Sequence, residues 1–147
     1  MGRYYNGDIE GKFWFGIQDS RDPAHFGGKE TPIFDYDPET GETIEGSEQI
    51  GSNFVFTQED LPTLEDGIKR CLDGLGINKE KIDAFFEGRE SYSDKQLEEY
   101  LELEGTEWEK QVFTKAMLML YARLEIGNKI RDCVVEKGEC NFDADFY

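Results

Sequence analysis

Cysteine, histidine, proline and positive charge are all scarce in this chain. Its 147 residues hold three Cys, one His and four Pro, with 16 Lys+Arg against 33 Asp+Glu and a formal net charge of −17. Three widely spaced cysteines (Cys71, Cys133 and Cys140), without a CxxC pair, do not make a disulfide framework. With His25 as the only histidine, the paired ligands of a zinc module are missing too. The expectation is three reduced, buried cysteines acting as small apolar side chains, in a cytoplasmic protein. No apolar run reaches the roughly 18 residues of a membrane span. Met1 is followed by polar residues and aromatics, so no secretory signal is expected. The shortage of cations argues against a direct grip on nucleic acid.

Aromatic residues, in contrast, are plentiful: 11 Phe, 7 Tyr and 2 Trp. A disordered acidic tail is poor in such residues. A chain of this length that folds buries about two-thirds of its unfolded surface, and these rings suffice for one core. No linker or internal repeat divides the chain, so residues 1–147 are expected to form a single domain.

Strand patterns come first. Arg3-Tyr4-Tyr5, Asn6-Gly7 and Ile9 to Gln18 suggest a hairpin turning at Asn-Gly. Alternation places Phe13, Phe15 and Ile17 inward, with Lys12, Trp14 and Gln18 on the other face. Asp19 to Lys29 has the punctuation of a loop. Thr31 to Tyr36, the turn Asp37-Pro38-Glu39-Thr40-Gly41 and Glu42 to Glu45 suggest a second, projecting hairpin. A loop over 46–52 and a short strand over Asn53–Phe56 follow. Then come four amphipathic helices. The first opens at Thr57 as N-cap, with Pro62 allowing the start to slide a few residues, and carries Leu61, Leu64, Ile68, Cys71, Leu72 and Leu75 inward. Asn78 is expected to cap a short one that buries Ile82, Phe85 and Phe86. The third is capped by Ser93-Asp94-Lys95-Gln96. A long one opens at Thr106 and runs toward Lys137, with ridges Phe113, Ala116, Leu120, Leu124, Gly127 and Val112, Met119, Ile126, Ile130, Cys133. Gly127 costs about 1 kcal/mol inside a helix, which marks a kink or a close approach of another element. Cys140 to Tyr147 alternates as a closing strand with an acidic outer face. The predicted class is α+β, a mainly antiparallel sheet of N-terminal hairpins plus the C-terminal strand, packed against three to four helices.

Charge placement is the most unusual feature. From Glu30 to Gly67 there is no Lys or Arg, while Glu30, Asp35, Asp37, Glu39, Glu42, Glu45 and Glu48 precede four further acids. A second run of Glu98, Glu99, Glu102, Glu104, Glu107 and Glu109 spans the junction of two helices. Such runs usually serve solubility. Their functional reading is a negative field that attracts a basic protein partner. Glu30, Asp35, Asp37, Glu39, Glu42, Glu45, Glu48, Glu98, Glu102 and Glu109 are the candidate contact residues. A calcium loop from Asp35 fails at its sixth and twelfth positions, Thr40 and Gly46, so no metal or other cofactor is expected. Nucleophile, P-loop and dinucleotide motifs are absent, and no enzymatic activity is expected. The alternative reading is a small-ligand, nucleotide-like site built from Tyr4, Trp14, His25 and nearby Arg. A role as a virion or assembly component is a further alternative.

The opening Gly2-Arg3-Tyr4-Tyr5-Asn6-Gly7-Asp8-Ile9-Glu10-Gly11-Lys12-Phe13-Trp14-Phe15 resembles the start of uncharacterised small proteins of phages and large DNA viruses. The stretches Tyr121 to Gly127, Ile130 to Cys133 and Gly138 to Phe142 are similar to the C-terminal part of the same group, while Glu30 to Ser52 looks like an insertion. The resemblance carries no activity and no functional residue. It implies a viral origin, in which setting a small acidic protein is expected to inhibit a host or rival nucleic-acid enzyme or defence system by imitating the phosphate array of DNA.

Overall fold

The computed structural model describes residues 4–14, 17–34, 37, 39–42 and 49–145. Five strands form one sheet in the order β2-β1-β5-β4-β3, every neighbouring pair antiparallel. They are β1 (Tyr4–Gly7), β2 (Gly11–Lys12), β3 (Lys29–Phe34), β4 (Gln49–Thr57) and β5 (Glu139–Asp145). The helices α1 (Leu61–Leu75), α2 (Asn78–Phe86), α3 (Asp94–Tyr100) and α4 (Glu107–Lys137) lie between β4 and β5 in sequence. The fold is therefore α+β, as the order of the patterns (strands, then helices, then one closing strand) implies. Among the described residues no helix is long and apolar enough to cross a membrane.

The closing strand takes the central place. β5 pairs with β1 along one edge and β4 along the other. Its Cys140, Phe142 and Ala144 are buried, and Asn141 is exposed on the opposite face. Phe142 meets Tyr5 edge-on at 5.6 Å and Phe54 at the same centroid distance, so three strands share one aromatic layer. The outer face is polar: Asn53 Nδ2 donates to Asn141 Oδ1 and Asp143 Oδ1, both at 2.8 Å.

The strand readings needed five corrections. Asn6-Gly7 is not the hairpin turn. Both residues lie in β1 and pair with Asp143 and Phe142, and the chain reverses over Asp8–Glu10. The second strand of that hairpin is only two residues long. Past it, Gln18 is buried rather than outward: its Oε1 accepts from the Trp14 N–H (2.8 Å) and its Nε2 donates to Ala122 O (3.1 Å). The expected 46–52 loop is already strand from Gln49, with Ser52 fully buried. Finally, β3 takes β4 as its partner. The turn at Asp37 does form, with Gly41 N–H donating to Asp37 O (2.7 Å) and Asp37 N–H to Glu42 O (2.8 Å). The readings of Arg3, Phe15, Asp35, Tyr36, Pro38, Thr43 to Glu48, Phe146 and Tyr147 lie outside the described residues.

The starts of α1, α3 and α4 follow the capping chemistry, whereas at α2 Ile77 holds the cap position without a side-chain cap and Asn78, the expected cap, is the first helical residue. Thr57 and Asp60 form a reciprocal cap over a 3-10 turn, Gln58–Asp60, that leads into α1. Ser93 and Gln96 form the expected capping box, and Thr106 Oγ1 accepts from Glu109 N–H (3.1 Å). The α1 stripe is buried at Leu64, Ile68, Cys71 and Leu75, but Leu72 is exposed. In α4, the expected ridges are buried from Leu124 on, and one turn earlier Leu120 is half-buried against the core and Gly74 of α1. Nearer its start, Thr114, Met117, Leu118 and Tyr121 are buried instead, and Val112, Phe113 and Met119 are exposed. The reason is length. α1 has 15 residues against 31 in α4 and runs antiparallel to it, Gly74 against Leu120 and Glu65 near Arg131, so it ends before covering the start of α4.

The stretch expected as a loop contains a 3-10 turn, Asp22–Phe26, and Phe26 is fully buried. A Cβ on Gly67 of α1 would stand 2.7 Å from Phe26 Cδ1, and one on Gly127 of α4 would stand 2.5 Å from Phe26 Cζ. The ring edge occupies a notch where two helices each present a glycine. Of the two readings of Gly127, close approach is the observed one.

Replacing Gln18 with leucine is expected to destabilise the fold by about 1–3 kcal/mol, because the Trp14 amide loses its acceptor in a covered site. Urea denaturation measures it, and an unchanged midpoint would show that the amide finds another partner.

Candidate functional site

Two groups of acidic side chains were expected to carry function, and the structure treats them differently. Of the first group, Glu30 is exposed on β3, and its Oε2 accepts from Ser52 Oγ at 2.8 Å. Asp37 is used locally: its Oδ1 accepts from the Glu39 N–H at 2.9 Å. Glu39 and Glu42 are exposed in the turn. Asp35, Glu45 and Glu48 lie outside the described residues.

The second group sits at the corner between α3 and α4. Glu102 and Glu109 are exposed there, along with Glu99, Glu104 and Glu107. Glu98 is not part of that surface: it is only 7% exposed, at the inner side of α3. Helical periodicity explains this, since Glu98 follows Leu97 toward the core and Leu101 lies one turn on. Glu107 is the most engaged of the exposed acids. Lys95 Nζ approaches it at 3.2 Å and Lys110 Nζ at 3.8 Å, and the Lys95 contact holds its carboxyl below the ordinary range. From Asp94 to Phe113 the sequence has seven carboxylates and two lysines.

Sequence reading missed what stands among those acids. Trp108, in the first turn of α4, is 71% exposed. Val112 and Met119 are also exposed, and spacings of four and seven put all three on one side of the helix. The available signal was the capping residue itself. Thr106 fixes the helix start, so Trp108 must lie in the first turn, beyond the reach of α1.

The residues of the alternative ligand reading are not brought together. Tyr4 is exposed on β1. Trp14 packs against Phe86 (4.6 Å between centroids) and Tyr121 (5.1 Å), and all three line an open depression of about 590 Å³. Glu80, Asp83, Glu87 and Glu125 line that depression. Tyr121 Oη donates to Asp83, while Lys79 Nζ lies 2.6 Å from the same carboxylate. Burial, then the Asp83 contact, pushes the Tyr121 phenol up, and burial likewise raises Glu125. Four carboxylates around Trp14 oppose the phosphates of a nucleotide. His25 lies elsewhere, in a small depression of about 190 Å³ that it shares with Arg70, Cys71 and Arg123.

All three cysteines are free and buried. Among the described residues no three His, Cys, Asp or Glu side chains are grouped to hold a metal ion.

Electrostatics bear on stability as well as on partners. Burial raises the carboxyls of Asp22, Glu125 and Asp145 above their ordinary values, in Asp22 despite the Arg123 guanidinium beside it. A carboxyl raised in the fold contributes stability that is complete below its ordinary value and lost as pH rises through the raised one. Self-repulsion at −17 acts in the same direction. His25, held below its ordinary value, opposes them on acidification, but it is one exposed group. The melting temperature is therefore expected to be higher at pH 5 than at pH 8, and to rise with salt at pH 8. Each 1 kcal/mol would appear as roughly 2–4 °C. Calorimetry at the two pH values tests this, and a lower melting temperature at pH 5 would contradict it.

Compared with family models, curated proteins and solved structures, the chain matches none.

Proposed function

We propose that this chain is a non-enzymatic accessory protein that acts by docking its acidic α3–α4 corner on a basic protein. The observation that carries the reading is Trp108, a large aromatic ring left in solvent among Glu102, Glu104, Glu107 and Glu109. Binding surfaces concentrate their free energy in a few aromatic anchors, and the charged rim sets the approach and the choice of partner. Trp108 with Val112 is such an anchor, and the glutamates are such a rim. In its finer form the proposal is that the carboxylates stand in for a phosphate array, so the partner is an enzyme or defence protein that binds nucleic acid. The resemblance of both chain ends to small viral proteins supports that form.

Immobilised protein, incubated with lysate, tests the reading. The expected result is a basic protein that is retained at low salt, released at high salt, and displaced by duplex DNA. Retention that survives high salt and ignores DNA would contradict both the charge and the mimicry.

A further inference from the structure

We propose that the depression between the 3-10 turn, α1 and α4 binds the phosphate group of a small molecule, held by Arg70, Arg123 and His25. This goes beyond the docking corner and does not depend on it. In a chain with twice as many acids as bases, two guanidiniums and the only imidazole line one depression. Arg123 is mostly buried and touches Asp22 Oδ1 through Nε alone, at 3.3 Å. Among the described residues the Arg70 guanidinium and the His25 ring have no hydrogen-bond partner or ion pair. Convergent donors without acceptors are what an oxyanion requires, and guanidinium forks match phosphate geometry.

The lining fits that assignment in size and charge. At about 190 Å³ the depression falls below the roughly 300–1,000 Å³ of sites that enclose a drug-sized ligand. It takes one ionic head and leaves the rest of the ligand outside. Burial raises the Cys71 thiol, so this lining residue adds no negative charge. The long-range repulsion of the acidic surface is screened beyond about 8 Å at physiological ionic strength. Asp22 and Asp19, on the loop, favour the imidazolium. Burial first, then Arg123 and Arg70, disfavour it and hold His25 below its ordinary value. A bound phosphate reverses that balance, so phosphate and proton binding at His25 are positively linked.

The chain has one histidine, so its imidazole Hε1 gives one unambiguous proton NMR resonance to follow. The protein is titrated with inorganic phosphate, with ribose 5-phosphate, and with acetate and chloride at matched ionic strength. Phosphate is expected to shift the resonance saturably and to move the His25 titration to higher pH than chloride does. Arg70→Gln, an exposed change on α1, is expected to weaken binding about tenfold or more. Tighter binding of ribose 5-phosphate would identify an organic phosphate as the source, and equal binding would identify free phosphate. Coincident curves in phosphate and chloride, saturation by acetate as strong as by phosphate, or unchanged affinity in Arg70→Gln would overturn the proposal.

Discussion

Replacing Phe26 with alanine is expected to destabilise the protein by about 3–5 kcal/mol, the range for an aromatic residue removed from a packed core. The ring is fully buried, and it ties the loop from Asp19 to Gly28 to α1 and α4 at once. The matching change on the other side of the contact has an informative sign. In an exposed helix, glycine to alanine stabilises by about 1 kcal/mol. At Gly127 a Cβ would meet Phe26 at 2.5 and 2.6 Å and Ile68 Cγ1 at 3.2 Å. The ring lacks room to retreat, because Gly67 closes on the same edge. Gly127→Ala is therefore expected to destabilise, and Gly67→Ala to do so as well. Urea denaturation of the three variants checks the set. A stabilised Gly127→Ala would show that Phe26 does not occupy the notch.

The second large effect concerns Trp108. Loss of a central aromatic anchor costs 2 kcal/mol or more at an interface, which is about 30-fold in affinity. Trp108→Ala is expected to weaken binding of a captured basic partner by that factor, chiefly through faster dissociation. It is expected to leave folding intact, since the side chain is 71% exposed. Substituting Glu102, Glu104 and Glu109 by glutamine is expected to act on the association rate instead, because rim charges steer the encounter. Surface-plasmon kinetics separate the two. Equal effects of both variants on the dissociation rate would place the contact elsewhere.

The helices were legible in the sequence because their signals are local. Ser93 with Gln96, and Thr106 before the long periodic stretch, identify their own starts. The strands were less legible because pairing is not local. Asn6-Gly7 has the composition of a turn, yet its glycine serves another purpose. Gly7 has φ +128°, and a Cβ there would stand 2.7 Å from Asn141 O on the adjacent β5. Close approach of a strand from the other end of the chain, 134 residues away in sequence, is invisible to a local reading. The same limit applies to α4: its periodicity is correct, but only the length of α1 decides which half of each ridge is covered. Of the candidate functional side chains, the acidic runs were plain in the sequence. The cluster of His25, Arg70 and Arg123 was not, because a 3-10 turn and two helices must meet before its members converge.

The association rate with the captured partner, measured from about 50 to 500 mM salt, is the most direct test of the anionic docking surface. Surface charges steer an encounter over a distance set by the screening length, roughly 10 Å at 0.1 M and shorter above it. The expected result is a steep fall in the association rate across that range, with a much smaller change in dissociation. A rate that stays level from low to high salt would contradict the account.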